Sequence, residues 1–254
     1  MNSKILKILI PVASLAACSM RAALYATGFD GRNLLIADHW ARLGLLGLTA
    51  LIALLLLLLG WFISGSDKYR DAHPNKGISS FGCYLASAAL AFTCGAEFGD
   101  FSSGMHFVLW LLGILAALCF GFIGNCRRKG KRPYFLLHSV ICIYFAMRTV
   151  LLYRVYSSDP MTQDYTFYLM AYVALMLNAY QHAAFDAKMG KHRPLWITGL
   201  AAVYLCCAAT VHCPDVPLLA GGAIWAFTNL TNLTVRPQTA RRATGAGKEA
   251  EAAQ

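Results

Sequence analysis

The stretch Leu43–Ile63, LGLLGLTALIALLLLLLGWFI, decides the fold class, because it holds no charged residue. A helix of this length rises about 31 Å at 1.5 Å per residue, which matches the hydrocarbon thickness of a bilayer. The leucine run from Leu54 to Leu59 makes it apolar on every side, as expected of a helix that faces lipid. The stretch therefore predicts a transmembrane helix.

The rest of the chain repeats this pattern. Only 13% of the 254 residues are charged, against about 25% in soluble domains. Apolar runs recur with short connections, so we predict an all-α polytopic transmembrane bundle. Residues 236–254 are small, polar and charged, and predict a disordered tail. The eight predicted spans lie at about 5–26, 43–63, 78–97, 104–124, 134–156, 165–185, 195–213 and 218–235.

The placement of the basic residues predicts the orientation. Of the 22 Lys and Arg residues, 17 fall in loops and termini on one side of the predicted bundle, and two on the other. Loops rich in Lys and Arg stay in the cytoplasm, so both termini are expected there. The net charge of +10 then reports topology, and we expect no nucleic-acid partner. The run from Arg127 to Arg132 is expected to contact anionic lipid headgroups.

The first predicted span contains a possible lipoprotein processing box, Leu15-Ala16-Ala17-Cys18, behind Lys4 and Lys7. Processing would remove residues 1–17 and acylate Cys18. The apolar stretch continues past Cys18 to Tyr25, and short boxes rich in Leu and Ala are common in apolar helices. We therefore favour an uncleaved first helix, although the loop charges are compatible with either reading.

Two pairs of predicted spans resemble each other. Spans 1 and 5 share Met-Arg-x-x-Leu at residues 20–24 and 147–151, and spans 3 and 7 share Tyr-Leu-x-x-Ala-Ala at residues 84–89 and 204–209. These echoes suggest two parallel four-helix repeats, as in transporters built from duplicated halves. Coincidence in a sequence rich in Leu, Ala and Tyr explains them equally well, so both readings stay open.

The charged residues inside the spans mark a candidate site. Arg148 is the deepest charge, and an arginine in hydrocarbon costs about 2.5 to 3.5 kcal/mol unless it faces a cavity or a partner. Glu97 is the one acidic residue within a predicted span, so we predict an Arg148–Glu97 pair with Arg21 nearby and Tyr144 on the same face. The same outer layer holds the polar side chains of Tyr25, Tyr153, His106, His212, Asp100 and Asp215.

Two interpretations of this candidate site stay open. The functional one is an outward-open pocket for a small anionic or zwitterionic solute, since arginine matches carboxylate and phosphate groups. The structural one is a buried ion pair that fixes the helix register. A second polar cluster is either a proton or solute gate or an interhelical hydrogen-bond network. It comprises Asn178, Gln181, His182 and Asp186 at the inner end of span 6, and His138 at the inner end of span 5 is a candidate to face it.

Three function classes follow. The first is a transporter or binder of a small solute, and the second is a non-enzymatic membrane component that binds a partner protein or anionic lipid through its basic loops. A membrane enzyme is the third and least favoured, because the chain has no H-E-x-x-H, G-x-S-x-G or P-loop motif. No pattern predicts a cofactor or a metal site, and the sequence leaves the oligomeric state open.

The stretch Arg21-x-x-Leu24-Tyr25-x-x-Gly28-x-Asp30, which continues to Leu34-Leu35 and His39, resembles the start of an uncharacterised family of bacterial multi-pass membrane proteins. The likeness covers about the first 40 residues. It implies a bacterial plasma membrane as the setting, and it implies no activity, ligand or site residue.

Overall fold

The computed structural model describes residues 3–28, 39–65, 76–99, 104–156, 165–211, 213–233 and 235–237. Within these ranges the chain forms eight helices and one short sheet. The helices are α1 Ser3–Thr27, α2 Trp40–Phe62, α3 Lys76–Ala96, α4 Gly104–Arg128, α5 Phe135–Tyr156, α6 Tyr165–Asp186, α7 His192–Ala209 and α8 Val216–Asn232. Strands β1 Ile63–Gly65 and β2 Val235–Pro237 pair in antiparallel fashion, with Ser64 opposite Arg236.

Each predicted span coincides with a helix, and the ends differ by at most four residues. The largest differences matter for the site. Helix α4 continues a full turn beyond Gly124, and α7 ends at Ala209, well before Pro214. The sheet was not predicted, and it takes Arg236 and Pro237 out of the predicted disordered tail. Residues beyond 237 lie outside the described part of the chain.

The helices run alternately up and down. At one end of α3, the Ser80 hydroxyl donates a hydrogen bond to the Gly124 carbonyl near the end of α4. At the other end, Trp110 Nε1 near the start of α4 donates to the Cys94 carbonyl over 2.9 Å. The two helices are therefore antiparallel, as consecutive helices with a short connection must be.

The two ends of the bundle differ in charge. The α4–α5 and α6–α7 connections lie at the end that we call the basic end, and their exposed side chains include Arg128, Lys129, Lys131, Lys188 and Lys191. The α3–α4 and α7–α8 connections lie at the other end, the opposite end, with the carboxylates of Glu97 and Asp215. The helix directions thus agree with the side assigned to each of these loops from the sequence.

Five of the eight helices are long and apolar enough to cross a membrane. They contain the segments Ile8–Thr27, Trp40–Leu58, Gly77–Ala96, Gly104–Arg128 and Phe135–Val155. Helices α6, α7 and α8 lie outside this group because they are shorter or more polar, and most residues of α7 and α8 are buried. The architecture is compatible with an integral membrane protein, and spanning by these three helices stays a prediction.

Helices α1 and α2 lie at the periphery of the bundle. Side chains of α2 such as Leu51, Leu54 and Leu57 are exposed, as expected of a face that contacts lipid. Helix α1 is continuous through Cys18, whose thiol donates to the Cys207 carbonyl of α7 over 2.9 Å. This packing favours the interpretation of residues 3–27 as a structural helix of the bundle.

Helix packing repeats only in part with a four-helix period. The α1–α2 and α3–α4 contacts recur as α5–α6 and α7–α8, whereas α6 packs along α7 without an α2–α3 contact of similar extent. Small residues permit a close approach of α3 and α4. The hydroxyl of Ser87 donates to the Ala117 carbonyl over 2.7 Å, opposite Gly121. The arrangement adds no support for duplication, which stays a prediction.

The contact between α3 and α8 gives a stability prediction. A Cβ at Gly82 would overlap the Thr228 hydroxyl, so Gly82→Ala should lower the free energy of unfolding by about 1 to 3 kcal/mol. Gly95 lies in the same helix with open space around its Cα, so Gly95→Ala should leave stability unchanged or raise it by about 0.5 to 1 kcal/mol. Thermal unfolding in detergent measures both. Equal stability of the two variants would contradict the packing.

Candidate functional site

The predicted ion pair at the opposite end is present and has a second carboxylate. Arg148 on α5 places Nη2 at 2.6 Å from Glu97 Oε1 and at 2.7 Å from Asp215 Oδ2. The Arg148 side chain is 12% exposed, Asp215 is 8% exposed and Glu97 is 34% exposed. A buried arginine requires compensation of this kind, since an unpaired charge in a low-dielectric interior is strongly destabilising.

Asp215 lies in the α7–α8 connection, immediately before Val216 and Pro217 at the start of α8. An aspartate there commonly caps its own helix, but the Asp215 side chain makes no capping bond. It turns instead to Arg148, and Tyr168 and Tyr172 of α6 donate hydrogen bonds to the same Oδ2, the latter over 2.7 Å. The positive end of the α8 dipole also favours its negative charge.

These contacts set the protonation state of Asp215. Burial raises the pKa of its carboxyl, but the charge of Arg148 and the hydrogen bonds from Tyr168, Arg148 and Tyr172 lower it further, so the pKa lies below its usual value. Nearby, burial raises the pKa of the Cys213 thiol to about 11, so this thiol is neutral. The formal charges of Arg148, Glu97 and Asp215 sum to −1.

The three charged side chains line a cavity of about 420 Å³ at the opposite end of the bundle. Its walls come from α3, α4, α5, the start of α6 and residues 214–217. The aromatic rings of Phe92, Trp110 and Tyr168 line it, and His106 adds a titratable group. A volume of this size falls within the range of about 300 to 1,000 Å³ that is typical of small-molecule sites.

Two residues predicted for this site lie outside the cavity wall. Arg21 is 2% exposed and donates from Nη1 to the Ala208 carbonyl over 3.2 Å, beside the ring of Phe167. That carbonyl belongs to the last turn of α7, where the helix dipole is negative and stabilises a cation. Tyr144 is buried next to Gly113 on α4. Arg21 is therefore not part of the cavity wall, and its guanidinium contacts a backbone carbonyl and an aromatic ring within the bundle.

Asp215 was passed over as a site residue because it lies in a connection, outside the predicted spans, although the sequence placed it in the outer layer. The sequence contains one signal for Asp215, because it directly precedes Val216 and Pro217. This pattern places an acidic side chain at the start of a helix. Two other residues of that layer, His212 and Asp100, lie outside the described residues.

The second predicted cluster forms at the basic end. His138 on α5 lies with Nδ1 at 2.9 Å from Asp186 Oδ2, and its ring stacks on His182 with 5.3 Å between the centroids. Asn178 is buried on the same helix as His182, and Gln181 is half-buried. The structure thus brings His138 and His182 together, one turn inside the bundle.

Arg127 was missed as a member of this cluster. The sequence assigned it to a lipid-contacting loop, but α4 extends to Arg128, so Arg127 is 4% exposed within the bundle. Its Nη1 donates to Ser79 Oγ over 2.6 Å and to Asn229 Oδ1. Arg132 donates to the Phe185 carbonyl over 2.6 Å. The contacts of Arg127 and Arg132 show that these two arginines bind within the protein, so the run from Arg127 to Arg132 does not contact lipid as a whole. Lipid binding by the exposed Arg128, Lys129 and Lys131 stays a prediction.

No protein-family model, no curated protein and no solved structure matches the chain. The resemblance of the N-terminal stretch to a bacterial membrane-protein family therefore stays a prediction. The described residues contain no group of three or more His, Cys, Asp or Glu side chains arranged to hold a metal ion.

The ion cluster predicts non-additive mutational effects. Arg148→Leu leaves the buried Asp215 without its counter-charge and should cost about 3 to 5 kcal/mol of stability. The double variant with Asp215→Leu removes both charges and should be less harmful than Arg148→Leu alone. Thermal unfolding in detergent measures both variants. Arg154→Leu, at an exposed arginine on the same helix, is the matched control and should change stability by about 0.5 kcal/mol or less. Strictly additive losses would contradict the pairing.

Asp215 also predicts a pH dependence. Because its pKa is lower when the protein is folded, its stabilising contribution is complete above the ordinary aspartate pKa of about 4. The contribution is lost as the pH falls through the lowered value. The unfolding temperature should therefore drop more steeply below about pH 4 in the wild type than in Asp215→Asn, as scanning calorimetry can measure. Parallel curves for the two proteins would refute this role of Asp215.

Proposed function

We propose that this chain is an integral membrane protein of eight spans that binds a small zwitterionic solute in the cavity at the opposite end. The basic end faces the cytoplasm in this proposal, and the cavity opens to the other side of a plasma membrane. The observation that carries the proposal is the presence of an arginine and two carboxylates in the wall of one cavity.

The charge balance favours a zwitterion over a simple anion. Arg148 alone would attract an anion, which was one of the two solute classes expected from the sequence. Glu97 and Asp215 both lie within 2.7 Å of its Nη2, however, and they more than neutralise it. An anion that enters the cavity meets a net negative group, and like charges in a partly desolvated site repel.

The same residues have capacity for both halves of a zwitterion. A guanidinium has five N–H donors, and both recorded ion pairs of Arg148 use Nη2, so its other nitrogens can bind a carboxylate. Glu97 is 34% exposed in the cavity wall, and a carboxylate accepts several hydrogen bonds at once. An ammonium group next to Glu97 is also attracted by the net negative charge of the cluster.

The uncharged residues that line the cavity favour a solute with a hydrocarbon portion. Phe92, Trp110, Leu151 and Leu152 line the cavity together with Tyr168. Aromatic faces attract an ammonium group, and the aliphatic side chains bury a hydrocarbon portion. An amino acid with an apolar side chain combines the required ammonium, carboxylate and hydrocarbon groups at this size.

The proposal predicts a specific order of ligand-induced stabilisation. Leucine, 4-methylpentanoate and isoamylamine share a carbon skeleton, and the last two lack the ammonium or the carboxylate. Phenylalanine, 3-phenylpropanoate and phenethylamine form a second such set. Thermal unfolding of the purified protein should shift upward with at least one of the two amino acids and not with the corresponding acid, because bound ligand stabilises the folded state. The shift should rise with ligand concentration.

Glu97→Gln is the informative variant, because Glu97 is partly exposed and its loss should leave the fold intact. This variant should weaken the amino-acid response at least tenfold in concentration, whereas Arg154→Gln, at an exposed arginine on the same helix, should not. A shift with the carboxylic acids instead, or none with either amino acid, would refute the proposal.

A further inference from the structure

The cluster at the basic end contains an imidazole nitrogen that is poised to take up a proton. His138 lies ten residues before Arg148 on α5, so the two clusters are about 15 Å apart along the helix axis. The side chain of His138 is 0% exposed and that of its partner Asp186 is 2% exposed. A side chain this deeply buried does not hold a charge without an opposite charge beside it. The contact between His138 and Asp186 therefore determines how the pair is protonated.

The geometry assigns the hydrogen on His138. Asp186 Oδ2 lies 2.9 Å from His138 Nδ1, and a carboxylate oxygen is an acceptor, so we place the ring hydrogen on Nδ1. The lone pair of the neutral ring is then at Nε2. Both ring nitrogens are fully buried and neither makes a hydrogen bond of good geometry within the described residues, but Nδ1 is the one that lies against a carboxylate. A buried acceptor without a partner is unfavourable, and a proton at Nε2 removes that acceptor.

The neighbouring histidine is not equivalent. Arg127 Nη2 lies 3.5 Å from His182 Nδ1, and a guanidinium only donates, so Nδ1 of His182 is an acceptor and its hydrogen is on Nε2. The adjacent positive charge also disfavours a second proton on this ring. The ring of His182 stacks on that of His138 at 18° and offers a π-face to an imidazolium.

The charges around His138 accommodate one added proton. Among the described residues of the cluster, Asp186 on α6 and Arg127 on α4 contribute opposite charges, and His182 lies between them. The facing groups on α8, Trp225 and Asn229, carry no charge, and the titratable group on α3 is the Cys83 thiol. Protonation of His138 takes place directly beside the only carboxylate of this group.

We propose that His138, oriented by Asp186, is a proton-binding site in the basic half of the bundle, with Nε2 as the atom that receives the proton. His138 lies three residues after Phe135, the first residue of α5, so the site is about one turn from that end of the bundle. The proposal does not depend on a solute in the cavity. It assigns to His138 the proton function that the sequence left open between a gate and a hydrogen-bond network.

Histidine-selective 15N NMR of the full chain in nanodiscs tests the proposal directly. Between pH 8 and pH 5, the His138 signals should change from a neutral ring with hydrogen on Nδ1 to an imidazolium, while the His182 signals remain neutral. His138→Gln assigns the signals. If that variant does not fold, single His→Gln variants of the six other histidines assign them by elimination.

Asp186→Asn is the matched variant, since it keeps the size of the side chain and removes the charge that stabilises the imidazolium. It should lower the midpoint of the His138 titration by at least one pH unit, whereas His39→Gln, at a partly exposed histidine near the opposite end, should not move it. A folded wild-type protein whose His138 is neutral at pH 5 overturns the proposal. So does a midpoint that is the same in Asp186→Asn.

Discussion

Arg148 and its two carboxylates are the interaction on which the arrangement of the bundle depends. The guanidinium is on α5, Glu97 follows the end of α3, and Asp215 precedes the start of α8, while two tyrosines of α6 donate to Asp215. An arginine at this depth is tolerated only when its charge is matched, so these four helices must meet at the opposite end. The cavity forms where they meet because ion pairing holds the walls at a fixed separation.

At the basic end, too, buried charged residues have partners, although the residues are different. Arg127 is buried and donates to Ser79 on α3 and Asn229 on α8, and His138 on α5 lies against Asp186 on α6. Helices α3, α5, α6 and α8 thus contribute to both clusters. The polar residues of the two clusters point inward, whereas peripheral α2 is almost entirely apolar.

The charged residues differ in how far their partners follow from the sequence. The Arg148–Glu97 pair was predictable, because Glu97 was the one acid available at a matching depth. Arg21 is predicted near this pair because it lies at a similar depth in its span, but depth does not specify a partner. Arg21 donates to a carbonyl at the end of α7 instead. Arg127 was assigned to a loop because basic residues usually end a span, but here α4 continues for another turn.

The sequence by itself determined the helices, their number and their alternating direction, because the length of an apolar run and the placement of Lys and Arg are local properties. It also showed that charges at membrane depth need partners. Only the tertiary structure decided which partners they have: a second carboxylate for Arg148, a helix end for Arg21 and the bundle interior for Arg127. Pairing energy depends on distances between side chains far apart in sequence, and helix packing alone sets those distances.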